Sequence, residues 1–305
     1  MDLGRQRVHE QLTDATERLA AAGSETARLD AEVLLAFVLG IDRSGLLAHP
    51  EAVLSTRQQE AYGSCLERRV TGEPVAYIRG MKEFYGSAIS VDRRVLIPRP
   101  ETETLVELAL ARITADLTGA PRESDEPYLV WDVGTGSGAI AVAIASELRR
   151  RRYGEAVRYL VSDLSGDARD VATLNVVAHG LAHLFTFAEG DLVDVAPAPA
   201  RPVDLLLANL PYIPAAMLPE LPVAARFEPV QALDGGPDGL DIIRRLLPRL
   251  PHAVAPGAAA LLEIGGDQER AMTAAAAEAL PDWSCAIHPD LSGSSRVAQL
   301  ERARG

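Results

Sequence analysis

The sequence has few cysteines, a single lysine and no long apolar run. Its two cysteines, Cys65 and Cys285, lie far apart among 305 residues and in no metal-like spacing, so we expect reduced thiols, no disulfide and no bound metal. The first residues contain no apolar core of a signal peptide, and no stretch approaches the apolar length of a membrane span. These absences favour a cytoplasmic protein that does not engage a membrane.

The charge of the chain is acidic, and its cations are nearly all arginine. The formal net charge is −13 at pH 7, and Lys82 is the only lysine. Because phosphate binding depends on clustered lysine and arginine, a broad nucleic-acid surface is disfavoured. A protein partner with a basic patch is compatible with this charge, and we expect a monomer that binds no nucleic acid directly.

The first part of the chain is predicted to form a small helical bundle. Apolar residues recur at helical spacing from Val8 to Leu19, and similar patterns follow. Further along the period changes, because FYGSAISVDRRVLIP alternates as paired short strands do. We therefore predict a bundle over 1–82, a β-hairpin linker over 83–98 and a larger domain over 99–305.

The rest of the chain alternates between strand and helix patterns. Seven apolar segments are predicted strands: 128–134, 157–163, 184–191, 203–209, 257–265, 284–290 and 296–302. Predicted helices fill most of the gaps, near 139–151, 166–179, 239–250 and 267–280. This alternation predicts an α/β fold with a doubly wound, seven-stranded and mostly parallel sheet. A short loop joins the last two strands, so one of them is expected to be antiparallel.

A glycine-rich turn follows the first of these strands in DVGTGSGAIAVAIA. Gly134 allows the tight turn, and Gly138 lets strand and helix pack closely. Gly136, between Thr135 and Ser137, lets a ligand approach the backbone. Glycine turns also join strands and helices without a ligand, but the first strand is where such folds bind one. Because the third glycine comes one residue too early for G-x-G-x-x-G, a nucleoside without phosphates is favoured over a pyrophosphate.

Two aspartates end the next two predicted strands. Asp163 can accept hydrogen bonds from both hydroxyls of a ribose, and its alternative role is an N-cap of the following helix. Asp191 or Leu192 can border an adenine ring, with a purely structural role equally open. Together with the glycine turn, these residues predict a site for S-adenosylmethionine across the carboxyl ends of the first three strands.

The fourth strand ends in Asn209, Leu210, Pro211 and Tyr212, beside the same crevice. An asparagine here can simply form a turn with its own backbone. Pro211, however, fixes its own φ and holds Leu210 extended, so the Asn209 side-chain oxygen and the Leu210 carbonyl form a fork of two acceptors. Such a fork matches the two hydrogens of an –NH2 group, and Tyr212 can cover its planar face. We interpret the loop as a clamp that positions a weakly nucleophilic nitrogen for methylation, with Asn209 also bordering the donor.

Several segments spread along the chain carry a resemblance to a known family. They are DAEVLLAFVLG, GEPVAYIRGMKEFYG, VLIPRPETETLVE, DVGTGSGAIA, EPVQALDGGPDGLDIIRRLL, LLEIGGDQ and LSGSSRVAQLER. In them the chain resembles the PrmC/HemK family of bacterial peptide chain release factor N5-glutamine methyltransferases over nearly its full length. The resemblance implies a helical bundle, a hairpin and a class I methyltransferase domain. It also implies methyl transfer from S-adenosylmethionine to the glutamine amide in the GGQ motif of class 1 release factors.

The same resemblance assigns roles to individual residues. Residues 134–138 and Asp163 are expected to bind the donor, and residues 209–212 the glutamine. The PRPETE and ALDGGPDGLD segments are specific to this family among methyltransferases. Arg99, Glu101 and Glu103 of PRPETE are expected to wall the site, or else to form a proline-rich turn with a solvated ion pair.

One position departs from the family pattern, because the family motif N-P-P-Y is N-L-P-Y here. The carbonyl of Leu210 remains, while the loop is expected to be looser, with the leucine side chain at the substrate rim. N-L-P-Y also occurs in rRNA adenine dimethyltransferases, which act on an exocyclic amine. The alternatives are therefore a related methyltransferase of another amide, guanidine or amine nitrogen, and a non-catalytic binding module. The acidic charge and the family-like N-terminal half disfavour an rRNA substrate. The intact residues 134–138, Asp163 and Asn209 disfavour a non-catalytic module, and release factor methylation is the favoured function.

Overall fold

The structure, a computed structural model, describes residues 7–119 and 126–302. Within these residues the chain divides into two units. The first contains the described residues up to Met81 together with Leu221–Phe227, and the second contains Lys82–Glu220 and the described residues from Glu228 onward. Chain order alone does not indicate that Leu221–Phe227 groups with the first unit, and the domain bounds predicted from the sequence remain a prediction.

The described part of the first unit is built from five α-helices. They are α1 (Val8–Ala21), α2 (Ala27–Leu39), α3 (Arg43–Ala48), α4 (Thr56–Val70) and α5 (Val75–Arg79). Their apolar faces meet in one core that includes Leu12, Leu19, Leu34, Leu35, Tyr62 and Leu66. A capping box of Ser55 and Gln58 starts α4, and Gly40 in the left-handed conformation ends α2. The bundle predicted from helical spacing therefore forms through the faces that this spacing aligns.

A β-hairpin follows these helices in the chain. Strands β1 (Met81–Phe84) and β2 (Ser87–Ser90) pair around a turn in which Tyr85 and Gly86 both have positive φ. A short 3₁₀ helix, Pro100–Thr102, then leads into α6 (Glu103–Thr118). The prolines of IPRPETE thus separate the hairpin from a regular helix, as their fixed φ requires.

One sheet organises the second unit within the described residues. Its strands are β3 (Tyr128–Val133), β4 (Val157–Asp163), β5 (Phe185–Asp191), β6 (Asp194–Ala196), β7 (Val203–Ala208), β8 (Val254–Glu263), β9 (Trp283–Pro289) and β10 (Ser295–Arg302). They are arranged in the order β6-β5-β4-β3-β7-β8-β10-β9. The strands from β5 to β8 in this order pair in parallel, and β10 is antiparallel to both β8 and β9. The predicted mostly parallel α/β sheet is confirmed.

The predicted number of strands was wrong by one, since the sheet has eight strands among the described residues. The additional strand, β6, is only three residues long and pairs antiparallel with the end of β5. Leu192, with a positive φ of 57°, turns the chain between them. A segment of three residues is too short to show the alternation from which strands are predicted.

The remaining helices connect the strands and cover the sheet. They are α7 (Ala139–Arg150), α8 (Gly166–Ala178), α9 (Asp241–Leu246), α10 (Leu250–Ala253) and α11 (Glu269–Ala279). The small residues of α7, which is buried from Ala139 to Ala145, let this helix lie close against its neighbours. Within 7–119 and 126–302, no helix has both the length and the apolar content that a membrane span needs.

The topology places several predicted site residues at one edge of the sheet. From β3 the chain runs outward to β4 and β5 on one side, and then returns to β7 on the other side of β3. Val133 at the end of β3 is level with Ser162 of β4 and with Ala208 of β7. The loops that follow these strands therefore leave the sheet together, at the switch point where open α/β sheets bind ligands.

Candidate active site

The glycine turn, residues 134–138, is fixed to the two neighbouring strands by short hydrogen bonds. The backbone N–H groups of Gly134 and Thr135 donate to the Ser162 carbonyl at 2.9 and 3.0 Å. The Thr135 hydroxyl donates to Oδ2 of the buried Asp132 at 2.7 Å. Because the turn is held by its own backbone, its outer surface has a defined shape before any ligand arrives.

Each glycine of the turn has a positive φ, of 69° at Gly134, 55° at Gly136 and 77° at Gly138. A Cβ at Gly138 would lie 3.1 Å from the Cβ of Ala172, so this glycine permits close packing against α8, not against a strand as its spacing suggested. A Cβ at Gly136 would meet nothing within 4 Å among the described residues. The backbone at Gly136 is therefore open to a ligand.

Asp163 ends β4 and lines the cleft beside this turn. Its Oδ2 accepts a hydrogen bond from the Gly136 N–H, and its Oδ1 accepts one from the Ser165 N–H, both at 2.9 Å. The N-cap of α8 is Ser165, whose hydroxyl accepts from the Ala168 N–H at 3.2 Å. Burial raises the pKa of Asp163, which the backbone N–H groups partly offset. The capping alternative thus falls to Ser165, and Asp163 is an oriented carboxyl group in the cleft.

The ends of β4 and β5 add an apolar and a charged border to the cleft. Leu164, directly after Asp163, lines it with 65% of its surface exposed, which is unusual for a large apolar side chain. Leu192 also lines the cleft, but it is largely buried. The Asp191 carboxylate forms an ion pair with Arg245 of α9. Leu164 was missed in the sequence, although an apolar residue directly after the aspartate of a strand end is a usable signal.

Three of the four residues 209–212, the NLPY loop, line the same cleft as the glycine turn, whereas Tyr212, predicted to cover the acceptor group, does not line it in the described part of the chain. The Asn209 side-chain N–H group donates to the Thr102 hydroxyl at 3.2 Å. The Tyr212 hydroxyl donates to Oε1 of Glu263 at 3.2 Å. Asn209, Leu210 and Pro211 line the cleft.

The leucine that replaces the family proline is nearly fully buried. Leu210 is 5% exposed and belongs to the main core of the second unit. Its Cδ2 lies 3.0 Å from the place that a Cβ on Gly134 would take. The side chain therefore packs under the glycine turn and does not project as a free side chain at the rim.

The ALDGGPDGLD segment packs directly on the backbone of the NLPY loop. A Cβ at Gly239 would lie 2.2 Å from the Tyr212 carbonyl oxygen, and a Cβ at Gly235 would lie 2.8 Å from that of Pro211. The side-chain amide of Gln268 donates to the same Tyr212 carbonyl at 2.9 Å. The two glycines are therefore required by close approach, and the segment fixes the loop from behind.

Two of the three residues predicted to wall the site make contacts elsewhere. Arg99 donates to Oε1 of the buried Glu228 at 2.5 Å, which ties the PRPETE segment to the residues before ALDGGPDGLD. Oε1 of Glu103 accepts from the Tyr85 N–H at 2.9 Å, at the hairpin turn. Glu101 is exposed. None of the three lines the cleft in the described part of the chain, where this segment contributes Pro98 and Thr102.

Asn175 connects the hairpin to the glycine turn. This residue of α8 is fully buried, and its side-chain N–H groups donate to the carbonyls of Ser90 and Ser137, both at 2.9 Å. Its oxygen accepts from the Ser90 N–H at 2.7 Å. An asparagine inside the apolar pattern VATLNVV is the signal that could have identified it.

Two buried carboxyl groups at this sheet edge were not recognised as site residues from the sequence. Asp132 and Glu263, each 1% exposed, are the penultimate residue of β3 and the last residue of β8. Burial raises the pKa of each to about 7. The hydroxyls of Thr102 and Tyr212 and the Arg296 guanidinium act in the opposite direction on Glu263. A carboxylate that ends an apolar strand, as in LLEIG, is the signal for such a group.

The sequence and the fold of this chain are similar to those of known proteins. The family described as PrmC N-terminal domain matches residues 10–80. Curated relatives from several bacteria carry the name release factor glutamine methyltransferase. The one from Moorella thermoacetica is 39% identical over 289 residues, covering 95% of this chain and 96% of the relative. The one from Deinococcus radiodurans is 34% identical over 300 residues, covering 98% and 100%. Among solved structures, the hMettl16 catalytic domain in complex with the MAT2A 3′UTR hairpin 1 or 6 resembles this chain, and for hairpin 6 the TM-score is 0.53 at 13% sequence identity. The match covers 83% of this chain and 84% of that one, and it shows a shared fold alone.

Proposed function

The chain belongs to the release factor glutamine methyltransferases, and from that premise we propose that it methylates the N5 amide nitrogen of the GGQ glutamine in class 1 release factors, with S-adenosylmethionine as the donor. Relatives of that name, 39% and 34% identical, match it over 95% and 98% of its length. The observation that carries the proposal is one cleft lined by residues 134–137 of the glycine turn, by Asp163 and by residues 209–211 of the NLPY loop. It combines a nucleoside site with a pair of acceptors for an –NH2 group.

The residues around the glycine turn fit the proposed donor. Gly136 leaves its backbone open to a ligand, and Asp163 is oriented by two N–H bonds, with lone pairs left for the hydroxyls of a ribose. Leu164 and Leu192 supply apolar surface for a planar base. When bound, S-adenosylmethionine supplies an electrophilic methyl group on a sulfonium. The N–H groups of residues 134–136 and of Gly138 all donate within the protein, which agrees with the shortened glycine spacing in favouring a nucleoside over a pyrophosphate.

The NLPY loop fits the proposed acceptor. Because the Asn209 N–H group is engaged by Thr102, its Oδ1 is the atom left for a substrate N–H. The Leu210 carbonyl is the second acceptor, held by the restraint of Pro211 on the loop. An amide nitrogen is a poor nucleophile, so holding it in position supplies much of the catalysis, and the two oxygens stabilise the positive charge that grows on it. The N–C bond to the methyl group forms as the bond from that carbon to the sulfonium sulfur breaks, S-adenosylhomocysteine leaves as a neutral thioether, and the nitrogen releases one proton to water.

The partner is a protein in this proposal. Class 1 release factors act in the cytoplasm, and the helical first unit is the part of the chain that we assign to docking them. The enzyme acts as a monomer and needs no direct contact with nucleic acid, in line with the net charge of −13.

The leucine at position 210 is the one departure from the family motif that raises a second class of acceptor. A wider or looser loop would admit a guanidine, another amide or an exocyclic amine. Leu210, however, is 5% exposed and is packed against Gly134, so its side chain takes little room from the substrate. Glutamine therefore remains the acceptor that the site supports best.

The proposal is tested by a methyl-transfer assay with labelled donor. Purified class 1 release factor is offered beside its GGQ→GGA variant, and label is expected in the wild type alone. Isothermal titration of the donor is run in parallel on the same enzyme. Donor binding without label in either release factor would refute the acceptor and direct the search to other nitrogen substrates.

A further inference from the structure

Glu263 is a buried charged group that neither the donor site nor the acceptor fork explains. It is 1% exposed, and its Oε2 is buried and accepts no hydrogen bond from the residues that the structure describes. A buried carboxyl group in this condition costs free energy, and an apolar residue of similar size commonly gives a more stable protein. Stability alone therefore does not account for a carboxyl group at this position.

The contacts of Glu263 lead to the NLPY loop. Its Oε1 accepts the Tyr212 hydroxyl at 3.2 Å, and the Thr102 hydroxyl favours its charged form. The Thr102 oxygen accepts the Asn209 N–H at 3.2 Å, which leaves the hydrogen of Thr102 free to point at the carboxylate. The Thr102 hydroxyl thus lies between the Asn209 amide, which donates to it, and the Glu263 carboxyl group, toward which its own hydrogen is free to turn.

We propose that Glu263 is a positioning residue for methyl transfer, in that its carboxylate orients the Thr102 and Tyr212 hydroxyls and thereby turns the Asn209 side-chain oxygen toward the acceptor. The inference rests on the proposed role of the NLPY loop as the acceptor clamp. It makes Glu263 act through other residues, without contact with the substrate. Its effect falls on the methyl-transfer step and leaves donor binding unchanged.

The charge on Glu263 decides the direction of these hydrogen bonds. As a carboxylate it accepts both hydroxyls, whereas a protonated carboxyl group must donate one hydrogen bond. A donated bond would reverse the Thr102 hydroxyl and let the Asn209 amide turn its N–H group toward the acceptor. Positioning is therefore expected to be complete when the carboxyl group is ionised and to be lost as it takes up a proton.

The groups that set this ionisation come from several elements. Burial raises the pKa of Glu263 to about 7, and Glu101 from the 3₁₀ helix acts in the same direction. Thr102, Tyr212 and the Arg296 guanidinium of β10 lower it. Arg296 is itself bonded to Asp290, at 3.1 Å from Nε to Oδ2. The transition is thus expected near neutral pH, where kcat rises with pH.

The decisive experiment is an NMR titration that follows the side-chain –NH2 group of Asn209 with pH. Asn175 and Asn209 are the only asparagines, so protein labelled with ¹⁵N-asparagine shows two side-chain –NH2 signals. The Asn209 signal is expected to titrate near pH 7 in the wild type and to stay fixed in Glu263→Gln. Asn175, whose partners are backbone groups of Ser90 and Ser137, serves as the internal control and stays fixed in both.

A matched variant separates Glu263 from the other buried carboxyl group. Asp132→Asn removes a group whose pKa is also raised to about 7, at the end of β3. It should leave the titration of the Asn209 signal in place. An Asn209 signal that does not titrate in the wild type, or that titrates equally in Glu263→Gln, overturns the proposal whether or not release factors are the substrate.

Kinetics supply the second readout. In Glu263→Gln we expect kcat to fall at least tenfold and its dependence on pH near 7 to vanish, with the dissociation constant of the donor within twofold of wild type. The amide replaces a buried carboxyl group of the same size, so the variant should fold. Wild-type kcat and pH profile in this variant, or equal loss of kcat and donor affinity, would contradict a positioning role. Failure of the wild type to label any release factor would instead contradict the proposed function, and the NMR titration would still decide the role of Glu263.

Discussion

The two halves of the cleft are built in different ways. The glycine turn is held by its own backbone, through bonds from Gly134 and Thr135 to the adjacent strand. The NLPY loop is held by side chains and glycines that are remote in sequence, among them Thr102, Gly239 and Gln268. Main-chain bonds to a neighbouring strand therefore hold much of the donor side, whereas the acceptor side depends on side chains and close glycine contacts from several segments. The two sides should respond differently to substitution.

The largest effect is expected from substitution of Asn209, whose side-chain oxygen is one of the two proposed to bind the substrate –NH2 group. Asn209→Ala deletes one of the two oxygens of the fork, and loss of such a group typically lowers kcat by about 10²–10³-fold. The donor dissociation constant should stay within a few fold, because donor binding depends on the glycine turn. Labelled-methyl transfer and calorimetric titration of the donor measure the two effects. Retained turnover would remove the clamp interpretation of this loop.

The next largest effect is expected from a residue that touches no substrate. Gly239→Ala would place a Cβ 2.2 Å from the Tyr212 carbonyl oxygen and so push the NLPY loop out of position. A displacement of about 1 Å in a reacting geometry can cost about 10²-fold in rate.

A matched control isolates this clash from backbone strain. Gly293 has a φ of 85°, close to the 82° of Gly239, but its Cβ would meet nothing within 4 Å among the described residues. Gly293→Ala should therefore show only the cost of a left-handed alanine, roughly 1–2 kcal/mol in unfolding free energy, and a normal kcat. Equal kcat in the two variants would show that the ALDGGPDGLD segment does not position the loop.

A smaller effect is expected on the donor side. Asp163→Ala removes the carboxyl group assigned to the ribose hydroxyls and also leaves the N–H groups of Gly136 and Ser165 without their partner. Loss of a hydrogen bond to a charged group costs about 1.5–3 kcal/mol, which corresponds to roughly 10–100-fold in the donor dissociation constant. At saturating donor, kcat should recover most of its value. An unchanged dissociation constant would return Asp163 to a purely structural role.

The same contrast explains what the sequence could and could not predict. Strand and helix periods predicted the mostly parallel sheet, and the order of the predicted strands put the glycine turn and Asp163 at the carboxyl ends of the first two strands, where they would meet. The contact of Asn209 with Thr102, and of Tyr212 with Glu263, joins residues 107 and 51 positions apart. No local pattern encodes such pairs. The position of the Leu210 side chain could not be predicted from the sequence either. It packs inward against Gly134 and not at the substrate rim, and only the fold determines this choice.

The smallest effect is expected on the free energy of unfolding, and it depends on whether Asp132, beside the glycine turn, is neutral in the folded protein. Burial raises the pKa of Asp132 to about 7, so between about pH 4 and 7 the folded state holds a proton that the unfolded chain has released. The free energy of unfolding must then fall as pH rises through this window and level off above it. Asp132→Asn removes the titration while its oxygen can still accept the Thr135 hydroxyl. The unfolding free energy of the variant minus that of wild type should therefore increase by about 1–3 kcal/mol from pH 5 to pH 8. Urea denaturation of both proteins at the two pH values measures this change. A difference that is constant with pH would show that Asp132 is ionised throughout. Glu263 would then be the one of these two buried carboxyl groups left to titrate near neutrality.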